Sequence, residues 1–473
     1  MIKKLLLLSL VVSQLAVSCS SDDSTDPKTD PVTEEPPKQE PVKEQTLAEQ
    51  IAALLKQPYS ALTPAQQKVK AEAEANDMLV QLDKTKSSGA IEAIINLGNL
   101  LTVSPVDIFG GKNGNEIEEL INVSDVYGIY TWNKSEKIWV KTASTTELKF
   151  VFPAKASETS NTATLSSKSV ASTVKVKFTD TYGSYTYDPE TKNYIETATK
   201  YDQIFLPSSA DAVLTINGNQ AATFTQTASY TAGKQAPDAF AYKMTLSEGY
   251  TWEMSGKKGA ENTAKAALTY NGKVLLDFTS ASTANIDGLI DSSDELKQYR
   301  GKGNGLFKLM DNFVIVADMD LATAASEEIA TEKALIYPTY PDRYKANSDY
   351  PAYFAARNKY YQQNSQATVT NFNKNIKLIL VSKKDGTKIA DVVQHSEKSY
   401  TSEWYLPVWI TPKSDPGYWD VTSNSQIVLL QNYDEVDYLR FNDNTEVAVS
   451  AYFSTGFTDF QAKFKEFAKA FNK

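Results

Sequence analysis

From residue 103 to residue 285 the apolar side chains recur at every second position, in short runs bounded by Gly, Pro, Asn and Asp. That period restricts the segment to antiparallel strands with one buried and one wet face. Val174, Val176 and Phe178 alternate with Thr173, Lys175, Lys177 and Thr179. Phe240, Tyr242, Met244 and Leu246 do the same against Ala241, Lys243 and Thr245. Asn271-Gly272, between LTY and KVLL, predicts a type I′ hairpin because both central residues must take positive φ. Its register pairs Tyr270 with Lys273 and Leu268 with Leu275.

The same region repeats itself. AVLTINGNQAATFT from Ala212 recurs as AALTYNGKVLLDFT from Ala266, an offset of 54 residues. YGIYTWNKSEKIWVKTA from Tyr127 recurs loosely as YGSYTYDPETKNYIETA from Tyr182, an offset of 55. Two pairs at nearly equal offset fit a sheet enlarged by duplicating a hairpin-sized unit, although NG turns and Thr- or Tyr-rich strands are also what any meander uses.

On either side the period lengthens. Residues 46–102 read as a helical unit: Thr46 and Glu49 form a capping box, Thr63, Pro64 and Gln66 open a second helix, and Ile91, Ile94, Ile95 and Leu101 mark a third. Residues 286–473 mix helices and strands. FKLMDNFVIVAD, ending at Asp318, reads as one buried strand and Ser348–Gln363 as a helix. Ile376–Val381 and Lys388–Val393 flank a KKDGT turn, and further strands are expected near Gln426–Leu430 and Glu446–Phe453. The chain closes on Phe460, Phe464, Phe467 and Phe471 opposite lysines, an amphipathic helix expected to dock on the core rather than on a membrane. The fold class is therefore α+β.

The first residues carry an address. Lys3 and Lys4 precede an apolar run from Leu5 to Val17, then Ser18 and Cys19; this is a secretory signal over residues 1–18, too short to cross a bilayer. Residues 19–45 are rich in Pro and acidic side chains and poor in apolar ones, so they form an extended tether. Val17-Ser18-Cys19 resembles the end of a lipobox, with Ala16 in place of the usual Leu or Val, and Ser20-Ser21-Asp22-Asp23 is similar to the acidic export signal of Bacteroidota outer-membrane lipoproteins. The resemblance implies that Cys19 carries fatty acyl chains such as palmitate, becomes the mature N-terminus and anchors the protein in the outer membrane, facing the cell surface. Asp23-Ser24-Thr25 also resembles the short O-glycosylation pattern of that phylum.

The chemistry is bounded by counts. With 48 basic and 58 acidic residues the net charge is -10, the wrong sign for a nucleic-acid partner. One cysteine excludes an intrachain disulfide and any multi-thiolate site, and one histidine, His395, leaves a single imidazole base. No GxSxG, HExxH or Walker loop occurs, and GKGNG at 301–305 reads as a flexible turn. Carboxylates remain, with Asp318 and Asp320 closing a strand and Asp434, Glu435 and Asp437 in an expected turn, none within a motif. No cofactor and no metal are expected.

Aromatic residues are the unusual feature. Trp404, Tyr405, Trp409, Tyr418 and Trp419 hold three of the six tryptophans, among prolines, and seven tyrosines lie between Tyr337 and Tyr361. Such rings suit stacking on sugars or anchoring a protein. The alternative is that Trp404 and Trp409 are core residues of a strand and the tyrosines fill an interdomain seam; Trp419, beside Pro416 and Gly417 in the most turn-like part, is the residue that separates platform from core, and Trp404, in a denser apolar run, is expected to be structural. The leading expectation is a non-catalytic lipoprotein that binds a glycan or a protein partner. A lipid carrier in a curved half-barrel is the alternative, and a two-carboxylate hydrolase the third.

Overall fold

The computed structural model describes residues 45–83, 88–106, 126–181, 183–231, 233–291, 300–310, 312–413 and 416–453. The signal, Cys19, the tether to residue 44 and the terminal Phe stripe lie outside the described residues.

The chain begins with helices α1 (Leu47–Leu55), α2 (Pro64–Asp83) and α3 (Gly89–Val103). Their starts follow the side chains that cap them. Thr46 Oγ1 accepts from Glu49 N at 3.2 Å while Glu49 Oε2 accepts from Thr46 N at 2.8 Å. Thr63 and Gln66 form the same reciprocal pair, and Ser88 Oγ accepts from Ile91 N at 3.3 Å.

The strands follow: β1 (Gly128–Asn133), β2 (Ile138–Thr142), β3 (Leu148–Phe152), β4 (Ala163–Thr181), β5 (Ser184–Asp188), β6 (Asn193–Thr197), β7 (Lys200–Ile216), β8 (Asn219–Ser229), β9 (Ala239–Leu246), β10 (Tyr250–Lys257), β11 (Asn262–Tyr270) and β12 (Lys273–Ser282). After helix α4 (Ile286–Asp291) come β13 (Lys302–Leu309), β14 (Phe313–Asp320), helix α5 (Leu321–Ala334) and helix α6 (Tyr350–Asn375). The chain then forms β15 (Ile376–Ser382), β16 (Thr387–Tyr405), β17 (Val408–Ile410), β18 (Tyr418–Asp420), β19 (Ile427–Arg440), β20 (Glu446–Ala448) and helix α7 (Val449–Tyr452).

Sixteen of these strands make one sheet in the order β2-β1-β3-β4-β7-β8-β9-β10-β11-β12-β13-β14-β15-β16-β19-β20. The molecule is α+β with a β-rich body. Because β12 pairs with β13, the sheet runs on through residue 285, where the hydrophobic period changes. One neighbour pair, β1 with β3, is parallel, which corrects the all-antiparallel expectation. The hairpin strand β2 lies on the outer edge, so the returning β3 must take the direction of β1.

The Asn271-Gly272 turn has φ values of 49° and 75° and pairs Tyr270 with Lys273 as expected. Leu268, however, faces Leu276, because a one-residue bulge leaves Leu275 as an extra, fully buried residue. The first repeat has the same geometry. Asn217 and Gly218 take φ values of 51° and 79°, Leu214 faces Ala222, and Ala221 is the extra residue. The other repeated pair shares its turn as well: Lys137 and Lys192 have φ values of 54° and 55°. Asn133 and Asp188 each accept from a backbone N–H two residues on. Turn, bulge and cap thus recur at the sequence offset, although β1-β2 sits at the sheet edge and β5-β6 forms a separate two-stranded extension of the long β4-β7 pair.

Other boundaries differ from the sequence reading. FKLMDNFVIVAD is not one strand but the β13-β14 hairpin, turning at Met310 with φ 52°. GKGNG is not a free turn, since Gly303 to Gly305 pair with both β12 and β14 and Lys302 pairs with β14. Asp434, Glu435 and Asp437 lie in β19, opposite β16, rather than in a turn. Glu446–Phe453 divides into β20 and α7.

Helices cover both faces of the sheet. Ile51 of α1 packs with Val314, Val316, Ile379 and Val381, whereas Ala71 and Ala75 of α2 pack with Phe313, Leu380, Ala390 and Leu439. Alternate residues of β14 and β15 point to opposite faces, so α1 and α2 lie on opposite sides. Helix α3 joins the core built on Phe150, Leu165, Leu214 and Leu246. Helix α6 runs along β16 and β19, where Asn358 Nδ2 donates to Leu429 O at 3.0 Å and Asn358 Oδ1 accepts from Gln431 N at 2.8 Å.

Candidate aromatic binding site

Helix α6 opens on YPAYFAARNKYYQQ. Asp349 caps it, accepting from Ala352 N at 2.8 Å, and Pro351 fits the first turn, where its missing N–H costs nothing. Helical spacing then places Tyr350, Tyr353, Phe354, Arg357 and Tyr361 on one stripe, and the first four of these are buried. The stripe is aromatic except for the arginine at its centre.

Two other segments close on this stripe. The loop after α5 lays Tyr340 edge-on to Tyr350 and Tyr353, with centroids 5.5 and 5.2 Å away, and sets Tyr337 at 5.1 Å from Tyr360. From the sheet, Trp404 at the end of β16 stands 6.2 Å from Phe354. The β17-β18 pair contributes Trp409 and Trp419, 5.8 Å apart, with Trp419 also 5.2 Å from Tyr350. The aromatic clusters at 337–361 and 404–419 are therefore one cluster, joined through α6.

Within it Trp404 departs from the sequence expectation, and Trp419 proves to be the structural indole. Trp419 is half-buried and tied down: its N donates to Arg343 O at 2.9 Å and its Nε1 to Lys345 O at 2.8 Å. Arg343 in turn pairs with Asp420 at 2.9 Å and lies 5.0 Å over the ring of Tyr418. Gly417, at φ +100°, passes so close under Trp409 that a Cβ there would fall 2.5 Å from the indole. Trp409, Tyr418 and Trp419 thus pin the loop at 335–349. Trp404 is the exposed indole, at 43%; Tyr337, which shares the Arg357 guanidinium with it, and Tyr340 are exposed as well. Tyr405 follows Trp404 in the strand and so points to the opposite side, where it pairs with Ile427 next to Leu429, all three exposed.

Arg357 was not singled out by the sequence; the available signal was a cation in the middle of an aromatic helical stripe. Only 8% exposed, its guanidinium carbon lies 4.8 Å from the Trp404 ring, 5.5 Å from Tyr361, 5.7 Å from Tyr353 and 5.8 Å from Tyr337. Nη2 donates to Tyr361 Oη at 2.6 Å, while Nε is buried without a partner. Burial alone would raise the Tyr361 phenol, but hydrogen bonding with Tyr337 and Arg357 and the guanidinium charge hold it below its ordinary value. Desolvation pushes Tyr350, deeper in the cluster, up to about 12.

The other candidates have structural duties or stand apart. Asp320 caps α5 by accepting from Thr323 N at 3.0 Å, a bond that, aided by Lys302, lowers its pKa despite some desolvation. Asp434 and Asp437 face Glu397 and Gln394 across the ladder. His395, on β16, lies 2.6 Å from Glu446 and edge-on to Tyr438. Among the described residues no group of three or more His, Cys, Asp or Glu is arranged to hold a metal ion. An open cleft of about 770 Å³ lies beside Trp132, Asn133 and Asn161, and another of about 250 Å³ beside Asp77, Lys273 and Lys384. Directly paired residues also build an apolar row across the sheet, Tyr242, Met254, Ala266, Phe278, Phe307 and Ile315, in which Phe307 and Ile315 are exposed.

Comparison with family models, with curated proteins and with solved structures finds no match to this chain. No described helix is long and apolar enough to cross a membrane.

Proposed function

We propose that this protein is a non-catalytic, lipid-anchored lipoprotein of the outer membrane, displayed at the cell surface, that binds a glycan through the aromatic surface of Trp404, Tyr337 and Tyr340. The observation that supports this reading is the convergence of both aromatic segments on α6, which leaves these three rings exposed beside one another's supports. Flat rings held by a packed base can stack on sugar faces with little ordering cost. A glycan array probed with the wild type and with Trp404→Ala tests it. Binding by the wild type that the variant loses is expected; an array blank for both, with capture of a protein partner abolished by the same substitution, would move the reading to a protein-binding lipoprotein.

A second reading, a carrier of a hydrophobic ligand, is favoured by the exposed row at Phe307 and Ile315. Native mass spectrometry of the protein from the membrane fraction tests it: a co-purifying lipid lost on Phe307→Asp would favour the carrier.

A further inference from the structure

Arg357 is a buried cation without an anion. A guanidinium taken from water normally meets a carboxylate, because an unpaired buried charge costs several kcal/mol. Elsewhere in this molecule that pattern holds for the largely buried lysines: Lys388 has Asp391 at 3.0 Å and Lys258 has Asp287 at 2.6 Å. Among the described residues no carboxylate pairs with Arg357. Four ring faces attract its charge but accept no in-plane hydrogen bonds, and of its donors Nη2 goes to a phenol and Nε to nothing. Two of the rings around it, Trp404 and Tyr337, are the exposed ones of the surface.

We propose that the missing anion arrives with the ligand: the site takes an acidic glycan, whose oxyanion engages the Arg357 guanidinium while a sugar ring stacks on Trp404 or Tyr337. This rests on the glycan-binding reading and narrows it to sugars bearing a carboxylate or a sulfate. The planar fork of an arginine matches either oxyanion in two parallel hydrogen bonds, and a lysine cannot reproduce that geometry.

The test uses the full chain purified in detergent and titrated calorimetrically with three oligosaccharides of equal length: neutral, uronate-containing and sulfated. Wild type is expected to bind an acidic sugar about tenfold more tightly than the neutral one, the scale of a charge-assisted hydrogen bond, and to lose that preference as salt is raised. Arg357→Gln should bring the acidic affinity down to the neutral one; Arg357→Lys should recover only part of it. The uronate and sulfated arms decide which oxyanion fits. Equal affinity for neutral and acidic sugars overturns the proposal and leaves the glycan reading standing, whereas no binding in any arm overturns both. Should Arg357→Gln fail to fold, the wild-type preference and its salt dependence still decide.

Discussion

Trp404 and Trp419 belong to one aromatic cluster and have opposite fates, and their substitutions should separate cleanly. Trp419 carries two hydrogen bonds to the 335–349 loop and packs on Tyr350, so Trp419→Ala should cost about 3 kcal/mol in denaturant unfolding. Trp404→Ala removes an exposed ring and should stay within about 1 kcal/mol. Equal losses would contradict the assignment of roles. Exposure here was not legible locally, because the atoms that bury Trp419 come from a loop some seventy residues away in sequence. A titratable example is Asp287, which accepts from Lys234 and Lys258. Those hydrogen bonds, Lys234 first, hold its pKa below the ordinary value against a small desolvation effect. A depressed carboxylate stabilises the fold above its unfolded pKa, ~3.9, and loses that contribution as pH falls through the folded value. Asp287→Asn should therefore destabilise the fold at neutral pH by about 1 kcal/mol at most for such a partly exposed group, read as a lower thermal midpoint. The gap to wild type should close in acid below the ordinary aspartate range; a gap that persists there would contradict the ion-pair account.

Among the elements, the strand ladder was the most legible part, since period two fixes strand and face together. Val174 and Val176 are buried and Lys175 and Lys177 exposed, as the alternation predicts. What it could not give was register beyond a bulge: the turn chemistry of Asn271-Gly272 sets Tyr270 against Lys273, but nothing in LTY or KVLL marks Leu275 as the extra residue. The β13-β14 turn was missed because it has no Gly or Pro and relies on Met310 in the left-handed region. The duplicated hairpins make a prediction at this scale. At both Gly218 and Gly272 an added Cβ meets nothing within 4 Å, so Gly→Ala costs only backbone strain, about 1 kcal/mol at each. Matching losses in chemical denaturation are expected for Gly218→Ala and Gly272→Ala. A severalfold difference would mean that the two hairpins are not equivalent units.

At the scale of the whole molecule, the fold class could be read from the sequence because long alternating runs and capped helices are local signals. The site could not be, because it exists only where α6, the 335–349 loop and the ends of β16 and β19 meet. The aromatic residues were visible; Arg357, which organises them, was not. On the proposed lipid anchoring, Cys19→Ala should move the protein from the membrane to the soluble fraction after detergent-free lysis, since two or more acyl chains are needed for stable anchoring. Unchanged partition would end the lipoprotein reading. The claim that the aromatic surface binds ligand is tested most directly by oxidative footprinting of the wild type with and without the glycan that the array selects. Protection of Trp404, Tyr337 and Tyr340, with Tyr405 equally oxidised in both states, is the predicted result; protection confined to Tyr405, or to the row at Phe307 and Ile315, would contradict it.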